Sequence, residues 1–325
     1  MKKILITGGS GFIGTNLVES LFDKDIQTLS IDIKHPQNTV HNKVFKQVDI
    51  CRKSDFKLVV NDFKPTHIVH LAARTDLDGK TINDYQANTI GVQNLVDLVA
   101  DSTTIKRAIF TSSKFVCVNG HIPQSDDDYC PDTVYGESKV EGERIVKVGT
   151  KMKCNWCIVR PTSIWGPWFD VPYKGFFQAI AKGRYFNLGQ ADPPKSFGYV
   201  GNSIYMIEKL LEVPDSQIYQ KTFYISDYEG YTIKEWANAI SLNLHNKDVA
   251  TIPDPIPRLA AWCGDFLKMI GIRNPPITSY RLHNMRCNTS LPLEPSKKIT
   301  GELPYKMEQG VKLTLDWMRS RNLIK

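Results

Sequence analysis

No stretch of the 325-residue sequence approaches the roughly 20 consecutive apolar residues that a membrane-spanning helix needs, so no span is expected. A secretion signal is also missing: Met1-Lys2-Lys3 leads into apolar residues, but Gly8 to Gly14 interrupt them and no small-residue cleavage site follows. Seven cysteines, an odd number in a chain without such a signal, argue for reduced thiols and a cytoplasmic protein. Cys154 and Cys157 have the spacing of a redox or zinc pair, yet they fall in a run that reads as a strand, where an odd offset sends two side chains to opposite faces. The seven histidines show no metal-ligand spacing, and no metal is expected. There is no basic run with interleaved aromatics; the formal charge of +7 is spread along the chain, which suits an anionic small substrate and not a nucleic-acid groove. Repeats and biased tracts are absent too, and 42% hydrophobic with 23% charged residues is the composition of a folded globular chain, long enough for one large domain or two modest ones.

What is present is concentrated at the start. Lys3 to Thr7 reads as a short buried strand, Gly8-Gly9-Ser10-Gly11-Phe12-Ile13-Gly14 as a tight turn, and Thr15 to Phe22 as a helix with Leu17, Val18 and Leu21 on one face. Such a turn needs residues without a Cβ, so that backbone N–H groups can approach a pyrophosphate at the positive end of the helix. A second apolar run, Ile26 to Ile33, carries Asp32 about 20 residues beyond the turn, where a carboxylate can accept hydrogen bonds from both hydroxyls of an adenosine ribose and repels a 2′-phosphate. The pattern therefore indicates NAD and not NADP.

Further strands are expected at Val44–Asp49, Pro65–Leu71, Ile105–Phe110 and up to Arg160-Pro161, with helices at Asp84–Ala100 and Val134–Val148. Strands alternating with helices imply an α/β fold, a Rossmann-type doubly wound parallel sheet that binds ligands at its C-terminal edge. At that edge Asp49 and Ile50 can border an adenine, and the small Ala72 and Ala73 after Leu71 leave room for a cofactor backbone. Asn88, Thr111 and Pro161 complete the expected cofactor contacts. Beyond about residue 172 prolines and glycines punctuate shorter elements, so residues 173–325 are assigned mostly to a smaller mixed α/β substrate-binding lobe, with 199–226 returning to the NAD-binding domain of residues 1–172. Pro257–Ile270 and Met307–Met318 read as amphipathic helices.

Tyr135 and Lys139 stand one helical turn apart on one face. An adjacent ammonium and the positive ring of an oxidised nicotinamide both favour the phenolate, so Tyr135 can take a proton from a substrate hydroxyl that Ser113 holds, while Lys139 also bonds the nicotinamide ribose. Tyr205 and Lys209 repeat the spacing, but no Ser/Thr-tipped strand precedes them, and they read as an ordinary helix face.

Together, Thr7 to Gly14, His70-Leu71-Ala72-Ala73, Ser113, Tyr135-x-x-x-Lys139, Arg160-Pro161 and Gly166-Pro167 resemble the extended short-chain dehydrogenase/reductase family, in particular its NAD-dependent sugar-nucleotide epimerases and dehydratases. The resemblance implies a tightly held NAD that oxidises a sugar carbinol and takes the hydride back, and a homodimer built on the Asp84 and Val134 helices. Lys114-Phe115 stand where 4,6-dehydratases carry an Asp-Glu pair, which favours epimerisation; Ser163 replaces an Asn, Cys117 a Tyr, and Lys195 falls in the segment that meets the nucleotide diphosphate. Lys114, Ser163 and Lys195 are accordingly the substrate candidates. The C-terminal half also resembles 3β-hydroxysteroid dehydrogenases, which leaves oxidation of an apolar alcohol as an alternative, with a non-catalytic NAD-binding regulator as a further one.

Overall fold

The computed structural model describes residues 2–24, 26–149, 152–189, 192–272, 278–289 and 291–325. The strands are β1 (Lys3–Thr7), β2 (Gln27–Asp32), β3 (Phe45–Gln47), β4 (His67–His70), β5 (Arg107–Thr111), β6 (Asn155–Pro161), β7 (Ser163–Trp165), β8 (Asn187–Leu188), β9 (Phe197–Tyr199), β10 (Lys221–Ile225) and β11 (Thr251–Ile252). The helices are α1 (Phe12–Asp23), α2 (Lys53–Phe63), α3 (Gln86–Asp101), α4 (Val134–Val148), α5 (Tyr173–Ala181), α6 (Val200–Leu210), α7 (Asp215–Ile218), α8 (Ile233–His245), α9 (Pro255–Met269), α10 (Ser279–Arg286), α11 (Glu294–Thr300) and α12 (Met307–Ser320).

Seven strands form one parallel sheet in the order β10-β6-β5-β4-β1-β2-β3. Its strands are apolar on both faces because both faces are covered. Ile4 and Ile6 of β1 point into the cluster that α1 and α6 close with Leu17, Val18, Leu21 and Met206, whereas Leu5 between them points into the cluster under α3. Cys154 and Cys157 likewise lie in opposite clusters, as the strand offset requires. The order reverses at β1, which sends the chain outward to β2 on one side and to β4 on the other, and leaves a crevice at the strands' C-terminal ends.

β10 adds a seventh strand beside β6, in register Lys221↔Cys157 to Ile225↔Pro161. Around β7 to β9 and α8 the core is aromatic: Trp165, Phe177, Phe197 and Tyr231 surround the fully buried Trp236. That cluster is continuous with the α1 face of the sheet. One helix departs from the sequence expectation. α2 was not anticipated, because only Phe56 and Val60 of its residues are buried and its pattern is weak. α9 forms as expected but buries only Pro257, Ala261 and Gly264. Among the described residues no helix is long and apolar enough to cross a membrane.

Candidate active site

The expected site residues converge on the C-terminal edge of β1, β4, β5 and β6. Gly8 leaves β1 with φ +74°, and a Cβ there would stand 2.5 Å from the Ala72 nitrogen, so the glycine loop and the segment after β4 touch backbone to backbone. A Cβ on Gly14 would lie 2.1 Å from the Gly8 carbonyl oxygen, and one on Gly9 would lie 2.0 Å from Ser30 Oγ. Helix α1 begins at an N-cap glycine, Gly11, with no side-chain cap, which leaves its first N–H groups to an anion. Asp32 Oδ2 accepts from the Ser10 N–H at 3.1 Å and Oδ1 from the Lys34 N–H at 3.0 Å. Each oxygen retains a lone pair, enough for two ribose hydroxyls.

After β5, Thr111, Ser112 and Ser113 turn back over the sheet. Ser113 caps a short 3₁₀ turn, its Oγ accepting from the Phe115 N–H at 3.2 Å. Thr133 Oγ1 accepts from the Gly136 N–H at 3.0 Å and starts α4, which delivers Tyr135 and Lys139. The Tyr135 hydroxyl is hydrogen-bonded to Ser113, and its ring is wedged between Tyr85 and Phe115, with centroids 6.0 and 5.9 Å away. Lys139 Nζ donates to the Thr111 carbonyl oxygen at 3.1 Å. Behind it, the side chains of Thr111, Ser112 and His70, whose Oγ1, Oγ and Nε2 atoms are buried without a protein partner, border a small and mainly apolar void.

The electrostatics differ from the sequence expectation in one respect. Burial pushes the Tyr135 phenol up to about 12, against the helpful bond from Ser113, and the same burial pushes Lys139 down to about 8, with Glu143 opposing. Proximity of the lysine does not by itself activate the phenol; desolvation outweighs the Ser113 bond. Three of the expected residues also have partners within the protein. Asn88 Oδ1 accepts from the Arg74 N–H at 2.9 Å, and its Nδ2 donates to the Arg74 carbonyl oxygen at 3.0 Å and to Ser138 Oγ at 2.9 Å, so it ties α3 to α4. Ser163 hydrogen-bonds the buried Tyr173. Ile50 packs in the core below Gly91, leaving the half-buried Asp49 at the rim.

Lys114 and Lys195 lie close enough for their charges to act on each other. Lys114 is held down to about 8 by burial and by the Lys195 charge. Its Nζ donates to Asn119 Oδ1 at 3.2 Å, while Lys195 Nζ donates to the Cys287 carbonyl oxygen. The Tyr205–Lys209 pair lies elsewhere, on α6, with the Tyr205 hydroxyl on the Thr300 carbonyl oxygen.

A matching family model, described as the NAD dependent epimerase/dehydratase family, covers residues 4–225. The chain belongs to that family. Its cofactor is NAD, and the uncapped α1, the glycine positions that tolerate no Cβ and the open lone pairs of Asp32 fit it. Among curated relatives of this epimerase/dehydratase chain, the UDP-glucose 4-epimerase of Vibrio cholerae is 30% identical over 275 residues, 81% of this chain and 80% of that one. The N-acetyl-α-D-glucosaminyl-diphospho-ditrans,octacis-undecaprenol 4-epimerase of Escherichia coli O157:H7 is 25% identical over 335 residues, 97% and 95% of the two chains. In fold, the chain matches the UDP-glucuronic acid 4-epimerase of Bacillus cereus solved with NAD, with a TM-score of 0.75, 18% identity and coverage of 98% and 99%.

Sequence reasoning missed the residues that hold this site in place. Arg160 Nε and Nη2 each donate at 2.8 Å to Glu143, one turn beyond Lys139, and both side chains are fully buried. Tyr129 adds a hydroxyl to Glu143 Oε2 at 2.8 Å. The signal was faint: an Arg before Pro161 and a Glu on an apolar helix face.

One cluster of potential metal-ligating side chains also forms among the described residues, where spacing gave none. Cys117, His121 and Cys130 bring their donor atoms within 4.8 Å of one another.

Proposed function

We propose that the protein is an NAD-dependent epimerase of a nucleotide-activated sugar, oxidising one carbinol and reducing the ketone again from the opposite side. The observation that carries this reading is the Tyr135–Ser113 hydroxyl pair, which sits at the sheet edge beside the glycine loop with Lys139 one helical turn away. Ser113 holds the substrate hydroxyl, and Tyr135 as phenolate takes its proton while the carbinol C–H electron pair departs as hydride. Bound NAD supplies a reversible acceptor for that hydride, and its positive ring opposes the burial that keeps the phenol neutral. The Lys139 ammonium supports the same phenolate. After the sugar turns, Tyr135 returns the proton to the alkoxide as the hydride comes back.

Lys114 and Lys195 supply two point charges suited to a diphosphate. Both curated relatives above are named for sugars carried on a diphosphate, one nucleotide-linked and one polyprenyl-linked. Elimination of water needs a further acid–base pair after the serine, and Lys114-Phe115 do not provide one, which favours epimerisation over dehydration. A cytoplasmic homodimer, paired through α3 and α4, completes the proposal and is checked by light scattering.

The deciding experiment incubates purified protein and NAD with UDP-, GDP- and dTDP-sugars and follows anomeric and ring protons by NMR. Formation of a C-epimer without net NADH supports the reading. Stoichiometric NADH from an apolar alcohol, with no sugar turned over, overturns it in favour of a steroid-dehydrogenase-type activity.

A further inference from the structure

Between the Ser113 turn and the cap of α4 the chain makes a loop whose two ends are pinned together. Cys117 follows the 3₁₀ turn Lys114–Val116, and Cys130 comes shortly before the Thr133 cap. The two face each other across an isolated backbone bridge, with the Val118 N–H on the Cys130 carbonyl oxygen at 2.9 Å and the Cys130 N–H on that of Val116 at 3.0 Å. His121 reaches back from inside the loop, and the donor atoms of all three side chains lie within 4.8 Å of one another. The Cys117 thiol donates to the Asp128 carbonyl oxygen at 3.0 Å. The carboxylate of the same residue accepts from His121 Nε2 and from the Gln124 N–H, each at 2.9 Å. In a neutral imidazole, the nitrogen that donates to a carboxylate carries the proton and the lone pair is left on the other, which is how a metal-bound histidine is oriented.

Two cysteines over an apolar helix face are by themselves ordinary core, and with Val116, Val140 and Tyr129 these two form a small cluster. Core packing does not call for an imidazole beside them, 33% exposed and held in place by a carboxylate. Two thiols and an imidazole are a donor set for zinc, not for cations that bind through oxygen. Tetrahedral bonds of about 2.3 Å to sulfur and about 2.0 Å to nitrogen place such donors about 3.6 to 3.8 Å apart, so these three need to draw in by roughly 1 Å. We infer that Cys117, His121 and Cys130 form a zinc site, with water as fourth ligand. Binding forms two Zn–S bonds and one Zn–N bond, sends both thiol protons to solvent and changes no oxidation state. The Asp128 carbonyl oxygen, at a half-buried position, passes from the thiol to water. The ion clips the start of the loop to its end, and so holds the turn that carries Ser113 against the segment that leads into the Tyr135 helix. This inference stands without the activity proposed above, because it rests on the loop's own side chains.

The test uses the full chain, reduced, stripped with a chelator and titrated with Co(II) as the spectroscopic probe. One Co(II) per chain is expected to give thiolate-to-metal charge transfer near the ultraviolet edge together with the visible bands of a tetrahedral ion, and one equivalent of zinc to remove both. Cys130→Ser with His121→Ala abolishes the signal while NAD binding, measured by calorimetry, is retained. Cys287→Ser leaves the signal unchanged, although Cys287 Sγ stands 3.2 Å from His283 Nε2 and offers a thiol–imidazole pair of its own. Asp128→Asn keeps the spectrum and weakens zinc binding by roughly 10- to 100-fold, the effect of loosening the carboxylate partner of a ligating histidine. With free zinc at about 100 times its Kd, hydrogen exchange of the amides between residues 118 and 130 slows by up to about a hundredfold, and chelator reverses the change. Co(II)-loaded protein without the charge-transfer band overturns the assignment. So does a band that survives Cys130→Ser with His121→Ala or is lost in Cys287→Ser, and so does a Cys117–Cys130 disulfide that forms as fast with zinc as without it.

Discussion

Replacing Glu143 with Gln tests how the catalytic helix is held. Arg160 and Glu143 are both at or below 1% exposure, and two charge-assisted bonds of 2.8 Å join them. Gln keeps the shape and removes the charge, and its single oxygen can accept from only one of the two guanidinium N–H groups that now reach Glu143, so Arg160 keeps its charge with one such bond, the Asp126 carbonyl oxygen and the Tyr224 hydroxyl. Breaking a buried pair from one side costs about 3 to 5 kcal/mol, far more than the pair contributes when measured against an apolar replacement. In a chain of this length that is a fall of about 4 to 7 °C in Tm, read by calorimetry together with urea unfolding. The double replacement Arg160→Met, Glu143→Leu is expected to recover most of the loss, because no charge is then left unpaired. A second consequence concerns Lys139, which burial holds down to about 8 and which Glu143 alone supports from the other side. Losing that charge lowers Lys139 further, so the alkaline limb of activity moves to lower pH in both variants, whatever their stability. The reasoning fails if Glu143→Gln unfolds within 1 kcal/mol of the parent, or if the double replacement is the less stable of the two.

Tyr135→Phe is expected to lower turnover by roughly 10²- to 10⁴-fold while NAD affinity, by calorimetry, changes little; normal turnover would remove the phenol from the chemistry. Gly14→Ala gains roughly 1 kcal/mol of helix propensity but puts a Cβ 2.1 Å from the Gly8 carbonyl oxygen, so the overpacking cost of about 1 to 3 kcal/mol prevails and NAD binding is lost; a stabilised, NAD-binding variant would show that the loop yields. His70 is buried and neutral, its pKa pushed down to about 3, so below pH 6.5 the unfolded chain takes up a proton that the native chain refuses. Stability therefore falls with acid by about 2 to 3 kcal/mol from neutrality to pH 4.5, and His70→Asn should flatten urea-unfolding curves across that window. Identical slopes in parent and variant would assign the acid sensitivity to other groups.

The amino-acid sequence by itself settled whatever depends on neighbours along the chain. A glycine loop between strand and helix, an acid about 20 residues on, and a Tyr and Lys one turn apart are local patterns, and local geometry gives them one meaning. Strands alternating with helices implied a parallel sheet in the same way, and strands apolar on both faces require cover on both. Tertiary structure decided what depends on partners distant in sequence. It gave Asn88 and Ser163 partners inside the protein, Arg74 and Ser138 for the one and Tyr173 for the other. It paired Arg160 with Glu143 and drew Cys117, His121 and Cys130 together across a single bridge. It also set the sign of the phenol's shift, because desolvation is a property of the packed cavity and not of spacing. The periodicity of α9 announced an amphipathic helix, but which face meets the protein depends on the shape of what it packs against, and there only Pro257, Ala261 and Gly264 are small enough to lie close.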